Sequence, residues 1–362
     1  MFLVFLFIAI SFAYFFLLMN YSSGWKNMPE SKLSNTPSTL FLSVVVPFRN
    51  EEKNLALLIQ QLITQTHTNF ELILVNDHST DHSIQVLETC LPQLKNVQLI
   101  QAQGFGKKNA LKEGIARAKG EFIVCTDADC VPTQNWLQSI AQYQEKELCD
   151  LLCCPVKMTY ESSFFSKLQT LEFTSLIATG AASVGIKRPI LCNGANLAFT
   201  PETWQKSIAE LKEDEASGDD MFLLISVKKR KEKIRFLKST HAMVQTASCK
   251  TLSDFYNQRK RWTSKSKSYT DSEIILVALL VFSVCATFIV CLFVGFFNPL
   301  FWKAALFIIC LKTLADVSLL MPSAKFFTIE KLLMYIPLLE IIYPFYVVIV
   351  AIGGLFGKFK WK

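Results

Sequence analysis

At 362 residues the chain has room for one large domain or two smaller ones. Its 51% hydrophobic content and mean hydropathy of +0.31 exclude an ordinary water-soluble composition, and the apolar excess is gathered at the two ends. The formal net charge of +7 gives no case for a nucleic-acid partner. Much of it lies in 228–238 and 259–267, near where an anionic lipid leaflet would attract it.

Residues 1–19, MFLVFLFIAISFAYFFLLM, carry no charge and have the length a bilayer-spanning helix needs. There is no basic start and no small-residue cleavage site, so 1–20 is expected to be an uncleaved anchor. Residues 40–270 have the polarity of a globular domain. Three apolar stretches follow, at 274–297, 300–320 and roughly 332–356. Pro337, Glu340 and Pro344 interrupt the last, so 273–357 is expected to hold two or three spans, with an interfacial helix as the alternative for the first half of that last stretch. Lys26, Lys32, Arg259, Lys260, Arg261, Lys265 and Lys267 flank the globular part. By the positive-inside rule they put it in the cytoplasm of an inner or plasma membrane. Four complete spans would then leave Lys358, Lys360 and Lys362 on the opposite side. The eleven cysteines lack paired zinc-ligand spacing and read as small buried hydrophobes.

Within 40–270, SVVVPF (43–48) is a β-branched run of the kind buried on both faces of a parallel sheet. Asn50 is placed to cap a helix, with Glu51 and Glu52 in its first turn. Leu55, Leu58, Ile59, Leu62 and Ile63 then recur at helical spacing. FELILVND (70–77) is a second strand leading into a short helix, a third strand lies near 97–102, a helix near 107–118, and FIVCTDAD (122–129) is a fourth strand. This alternation predicts an α/β fold: a mostly parallel sheet flanked by helices, with ligands beyond the carboxyl ends of its strands. Arg49–Asn50–Glu51, Asn76–Asp77 and Asp127–Asp129 all fall at such ends.

Asp127 and Asp129 stand two apart, and on a strand such positions face the same way. Two carboxylates that close call for a cation between them or a proton on one. GFGKKNALKEG (104–114) puts glycines and lysines before a helix, which suits a diphosphate but equally a solvated basic turn. The acidic run EDEASGDD (213–220) precedes a helical stretch. Glu213 to Glu215 fit a helix dipole, whereas Asp219 and Asp220 abut Met221, Phe222 and Leu223, where partial desolvation would suit a general base. In QRKRW (258–262), Arg and Trp fit phosphate and sugar binding and fit a membrane interface equally.

In order, SVVVPFRNEE, VNDHSTD, GKKNAL, TDAD, CNGANLAF, SGDD and QRKRW resemble the motifs of membrane-anchored family 2 glycosyltransferases over about residues 40–265. The similar branch includes cellulose, hyaluronan and poly-N-acetylglucosamine synthases and ceramide glucosyltransferase. The resemblance implies a GT-A fold, Rossmann-like, with transmembrane helices at both ends. It implies that Pro47 and Glu51 line a nucleoside pocket, that Asp77 meets the base, and that Lys107 lies near the donor. Asp127 and Asp129 would hold Mg2+ or Mn2+ on the donor diphosphate. Asp220 falls at the catalytic base, with Asp219 before it where Glu is commoner. Gln258, Arg261 and Trp262 match the Gln-x-x-Arg-Trp motif that seats diphosphate and acceptor, and Asn193, Gly194 and Asn196 lie where the acceptor end is expected.

The function implied is inverting transfer of a sugar from a nucleotide-diphosphate sugar, a UDP-sugar by preference, to a membrane-associated lipid or glycan acceptor. A processive polysaccharide synthase and a polyprenyl-phosphate glycosyltransferase are rivals of the same class. A sugar nucleotidyltransferase is one of a different class, but the chain shows no Gly-rich, Arg-containing opening loop. A transporter or silent scaffold leaves Asp127, Asp129 and Asp220 unexplained. The small number of C-terminal spans favours addition of one or a few sugars over extrusion of a polymer.

Overall fold

The structure, a computed structural model, describes residues 1–208 and 219–356. Glu213–Glu215 of the acidic run and Lys358, Lys360 and Lys362 lie outside the described residues. In chain order, helix α1 (Phe2–Asn27) is followed by β1 (Leu42–Phe48), α2 (Leu55–Ile63), β2 (Phe70–Asn76), α3 (Ser83–Cys90), β3 (Val97–Gln101), α4 (Lys107–Ile115) and β4 (Phe122–Thr126). Then come β5 (Val131–Pro132), α5 (Trp136–Glu147), β6 (Leu151–Cys153), β7 (Val156–Thr159), α6 (Phe164–Gly185), β8 (Asn196–Phe199) and α7 (Pro201–Ile208). The remainder is α8 (Asp219–Lys229), β9 (Ile234–Phe236), β10 (Val244–Ala247), α9 (Leu252–Ser264), α10 (Ser272–Val294), α11 (Leu300–Phe326) and α12 (Ile336–Phe356).

Two compact units result. One comprises Met28–Thr159 and Leu191–Ala247. Among its described residues, the main sheet has seven strands in the order β3-β2-β1-β4-β8-β6-β9, and a smaller one runs β5-β10-β7. The four strands expected from the sequence are neighbours and parallel. Every residue of β1, β2 and β4 is buried, as their unbroken apolar runs require. Leu55, Leu58, Ile59 and Leu62 of α2 are buried at helical spacing. β8 enters antiparallel to both β4 and β6, a reversal that its four residues do not announce. The α/β class anticipated from the order of elements is the one found.

Two local expectations fail. Asn50 is not the helix cap: its φ is 54° and α2 starts five residues later, after Asn54. The Asn50 side chain instead accepts the backbone N–H of Thr80 at 2.8 Å, lacing the loops after β1 and β2 together. Strand β4 ends at Thr126, so Asp127 and Asp129 lie in a turn closed by the Cys130 N–H on the Asp127 carbonyl, 3.1 Å. Strand alternation does not set their directions.

The other unit comprises Met1–Asn27, Tyr160–Ile190 and the residues from Ser248 onward. Segments 160–190 and 248–270, read from sequence as part of the globular domain, therefore pack with the apolar helices. Among the described residues, four helices are long and apolar enough to cross a membrane: Phe2–Asn27, Ser272–Val294, Leu300–Phe326 and Glu330–Gly354. Glu340, which suggested an interfacial segment, is buried and bonded at 2.7 Å to Lys312 of α11, which also pairs with Asp316 at 2.5 Å. In this unit Thr251 caps α9 by accepting the Asp254 N–H.

Candidate functional site

The carboxyl ends of β2, β1 and β4 lie side by side. The β1–β2 ladder runs on to Phe48↔Asn76, whereas the β1–β4 ladder stops at Val45↔Cys125. Pro47, buried in β1, has no N–H to extend it. The two strands thus part at the edge from which Asp127 departs, a common setting for a ligand in such sheets. At this edge Asp77 is buried, and its carboxylate accepts the Gly106 N–H at 2.9 Å. Gly106 has φ 92° and ψ 153°, a conformation essentially closed to other residues, and it is the last residue before α4. Glu51 accepts from Asn54 Nδ2 at 2.6 Å.

Lys107, the first residue of α4, forms an ion pair with Asp127, and about a third of each side chain stays accessible (33% and 32%). Partial burial opposes the ammonium charge, but Asp127, with Asp220 and Asp129 behind it, holds the Lys107 pKa above the ordinary lysine range. One cation therefore sits in the field of three carboxylates drawn from one turn and one helix. Asp129 is exposed.

Asp220 is in the first turn of α8 and half-buried, and Asp219 before it is buried. Asp220 Oδ2 accepts the Gly194 N–H at 3.1 Å, and Oδ1 accepts the Met221 N–H at 2.8 Å. Asn193 Oδ1 accepts the Ala195 N–H at 3.0 Å. Asn196 is buried and fully committed: its Nδ2 donates to the carbonyls of Pro155 and Ala242, and its Oδ1 accepts from Trp136 Nε1. It shapes the segment that Asn193 and Gly194 present.

Among the described residues, no group of three or more His, Cys, Asp or Glu is arranged to hold a metal ion. Asp127 and Asp129 supply two hard oxygen donors, one half-buried and one exposed, with an ammonium already drawn to them. That set fits a divalent cation which keeps water or substrate phosphate for its other positions, as Mg2+ does.

In the other unit, Gln258, Arg261 and Trp262 lie on α9 at i, i+3 and i+4, hence along one side of the helix. Arg259, between them, is counted from sequence only as one of the flanking cations. It is buried, and it pairs with Glu172 of α6. A cation inside a run of five surface-type residues was the available signal.

Residues 43–198 match the family model described as glycosyl transferase family 2, and residues 122–353, more than half of the chain, match that of glycosyl transferase family group 2. The chain is 36% identical over 108 residues to the glycosyltransferase GlyG of Streptococcus pneumoniae, covering 29% of this chain and 36% of that protein. It is 33% identical over 93 residues to the undecaprenyl-phosphate 4-deoxy-4-formamido-L-arabinose transferase of Photorhabdus laumondii, covering 24% of this chain and 29% of that protein. In each case the matched stretch is well under half of the relative's length. Over 98% of both chains the fold is similar to that of the mannosyltransferase PcManGT of Pyrobaculum calidifontis in complex with GDP-Man and Mn2+, with a TM-score of 0.61 and 16% identity.

Proposed function

The chain belongs to the family 2 glycosyltransferases, and on that premise we propose that it transfers a sugar, with inversion, from a nucleotide-diphosphate sugar to a membrane-associated lipid or glycan acceptor. One observation carries the reading. Lys107 is bonded to Asp127 within the field of Asp129 and Asp220, so a phosphate-neutralising cation, a carboxylate pair and a candidate base share one edge of the sheet.

In this mechanism Pro47 and Glu51 line the nucleoside pocket and Asp77 meets the base. Asp127 and Asp129 hold Mg2+ or Mn2+, which when bound supplies positive charge to the donor diphosphate. Asp220 takes the proton of the acceptor hydroxyl as its oxygen bonds to the anomeric carbon. The bond from that carbon to the diphosphate oxygen breaks on the opposite face, and the Lys107 ammonium offsets the charge left on the nucleoside diphosphate. Asn193 and Gly194 face the acceptor, with Asn196 fixing their backbone. Gln258, Arg261 and Trp262 contribute to seating diphosphate and acceptor, a role supported by their motif alone. A UDP-sugar carrying a hexose or N-acetylhexosamine is the first donor to test. Two relatives named as undecaprenyl-phosphate sugar transferases make a polyprenyl phosphate the second acceptor to test, after a glycolipid. The flanking Lys and Arg residues support a cytoplasmic site.

The test uses full-length protein in lipid nanodiscs, supplied with a panel of nucleotide sugars and Mn2+ or Mg2+, with released nucleoside diphosphate as the readout. Release that is abolished in D127A/D129A supports the reading. No release with any donor, or wild-type release from the double variant, overturns it.

A further inference from the structure

Arg259 occupies a position that the Gln-x-x-Arg-Trp pattern leaves open, yet it is 2% exposed and in contact with two of the motif's residues. Its Nη1 donates to Gln258 Oε1 at 3.3 Å. Its guanidinium carbon lies 4.2 Å from the centroid of the Trp262 ring and 4.8 Å from that of Phe255. Nη2 pairs with Glu172 of α6, whose second oxygen accepts from the Tyr346 hydroxyl of α12 at 3.3 Å. The same helix backs onto α9 through Gly354, where a Cβ would come within 2.8 Å of Thr263 Cβ.

We propose that Arg259 is the positioning residue of this motif: held by Glu172 and by the membrane-length helix α12, it fixes the rotamers of Gln258 and Trp262. The inference rests on the proposed role of Gln258, Arg261 and Trp262 in seating the diphosphate. A plain interhelix ion pair would need neither the bond to Gln258 nor the stack on Trp262. A planar guanidinium makes both at once, and an ammonium does not. The pair is also dry, so neither partner is free to turn towards solvent.

The experiment compares R259K, E172Q, Q258A and W262A in full-length protein, by titration of UDP and of GDP with Mn2+, donor KM and kcat, and unfolding temperature. R259K keeps a cation for Glu172 but loses the plane. The expected result is a modest fall in unfolding temperature from the lost ring contacts, with the dissociation constant of the better nucleotide and the donor KM of the folded enzyme both raised roughly tenfold. A merely structural defect would lower the amount of active enzyme, and so the apparent kcat, while leaving KM and the dissociation constant alone. Should R259K fail to fold, E172Q, which keeps the shape of the acid, decides by the same two constants. Wild-type constants in the variant that decides, beside raised ones in Q258A and W262A, overturn the inference. Wild-type constants in Q258A and W262A themselves overturn the motif's role and the inference with it.

Discussion

The backbone N–H of Gly194 donates to Oδ2 of Asp220 at 3.1 Å, while the helix N–H of Met221 takes Oδ1 at 2.8 Å. Both carboxylate oxygens are thus aimed by backbone donors, and the group retains lone pairs for an acceptor proton. In D220N one of these N–H groups must face an amide NH2, at a cost of about 1–3 kcal/mol if it stays buried. The fold survives that loss, and the basic oxygen does not. Turnover is expected to fall about 10²–10⁴-fold with nucleotide binding kept. Near-normal turnover in D220N would remove Asp220 as the base and make D219N the next variant to assay.

Lys107 does the work of a counter-ion for Asp127, Asp129 and Asp220 when no other cation is near. K107M should therefore unfold a few degrees earlier in chelator, a loss of about 1 kcal/mol for a part-exposed ion pair. Added Mn2+ should restore it, because the carboxylates then recover a cation, and should shift K107M further than wild type. Thermal unfolding with and without Mn2+ measures both. A variant whose midpoint ignores Mn2+ would count against the carboxylates as a cation site.

Strands β1, β2 and β4 are legible because each is a largely apolar run rich in β-branched residues that ends in polar ones, whereas β3, VQLIQ, is legible only from its place between two helical segments. β8 and β9 are not, since strands of four and three residues carry too few side chains to show a period. Asn50 looks like a helix cap in the sequence because the chain does not show that its side chain serves the loop after β2 rather than the helix five residues on. Lys107 and Asp127 are twenty positions apart, and only the strand order β2-β1-β4 makes them neighbours. The motif residues could be named from sequence, but not that Asn196 spends its whole side chain on Pro155, Ala242 and Trp136. Nor could Glu340 be matched with Lys312, its partner 28 residues earlier on another helix.

Gly106 joins two parts of the site, donating to Asp77 and immediately preceding Lys107. A Cβ there would meet nothing within 4 Å, so G106A is sterically free and fails only through its backbone angles. The strain is about 1–3 kcal/mol. The loop can escape it by giving up the bond to Asp77 and swinging the start of α4. Affinity for the preferred nucleoside diphosphate should then fall roughly tenfold, the equivalent of about 1.4 kcal/mol. Unchanged affinity would mean that Asp77 and Lys107 are positioned without this loop.

Lys312 is 2% exposed and bonded to Asp316 at 2.5 Å and to Glu340 at 2.7 Å, with the Tyr343 ring centroid 4.7 Å away. Charges at such a place are tolerated only in company, because each alone would carry its full desolvation cost. K312M leaves two carboxylates facing each other among apolar helices and should cost about 3–5 kcal/mol, the usual penalty for breaking a buried pair from one side. Neutralising the whole group in K312M/D316N/E340Q removes the stranded charges and should recover most of that loss. Unfolding temperature and the monodisperse fraction in detergent measure it. If the triple variant is less stable than K312M, the ionic group stabilises the packing of α11 and α12 by more than mutual compensation.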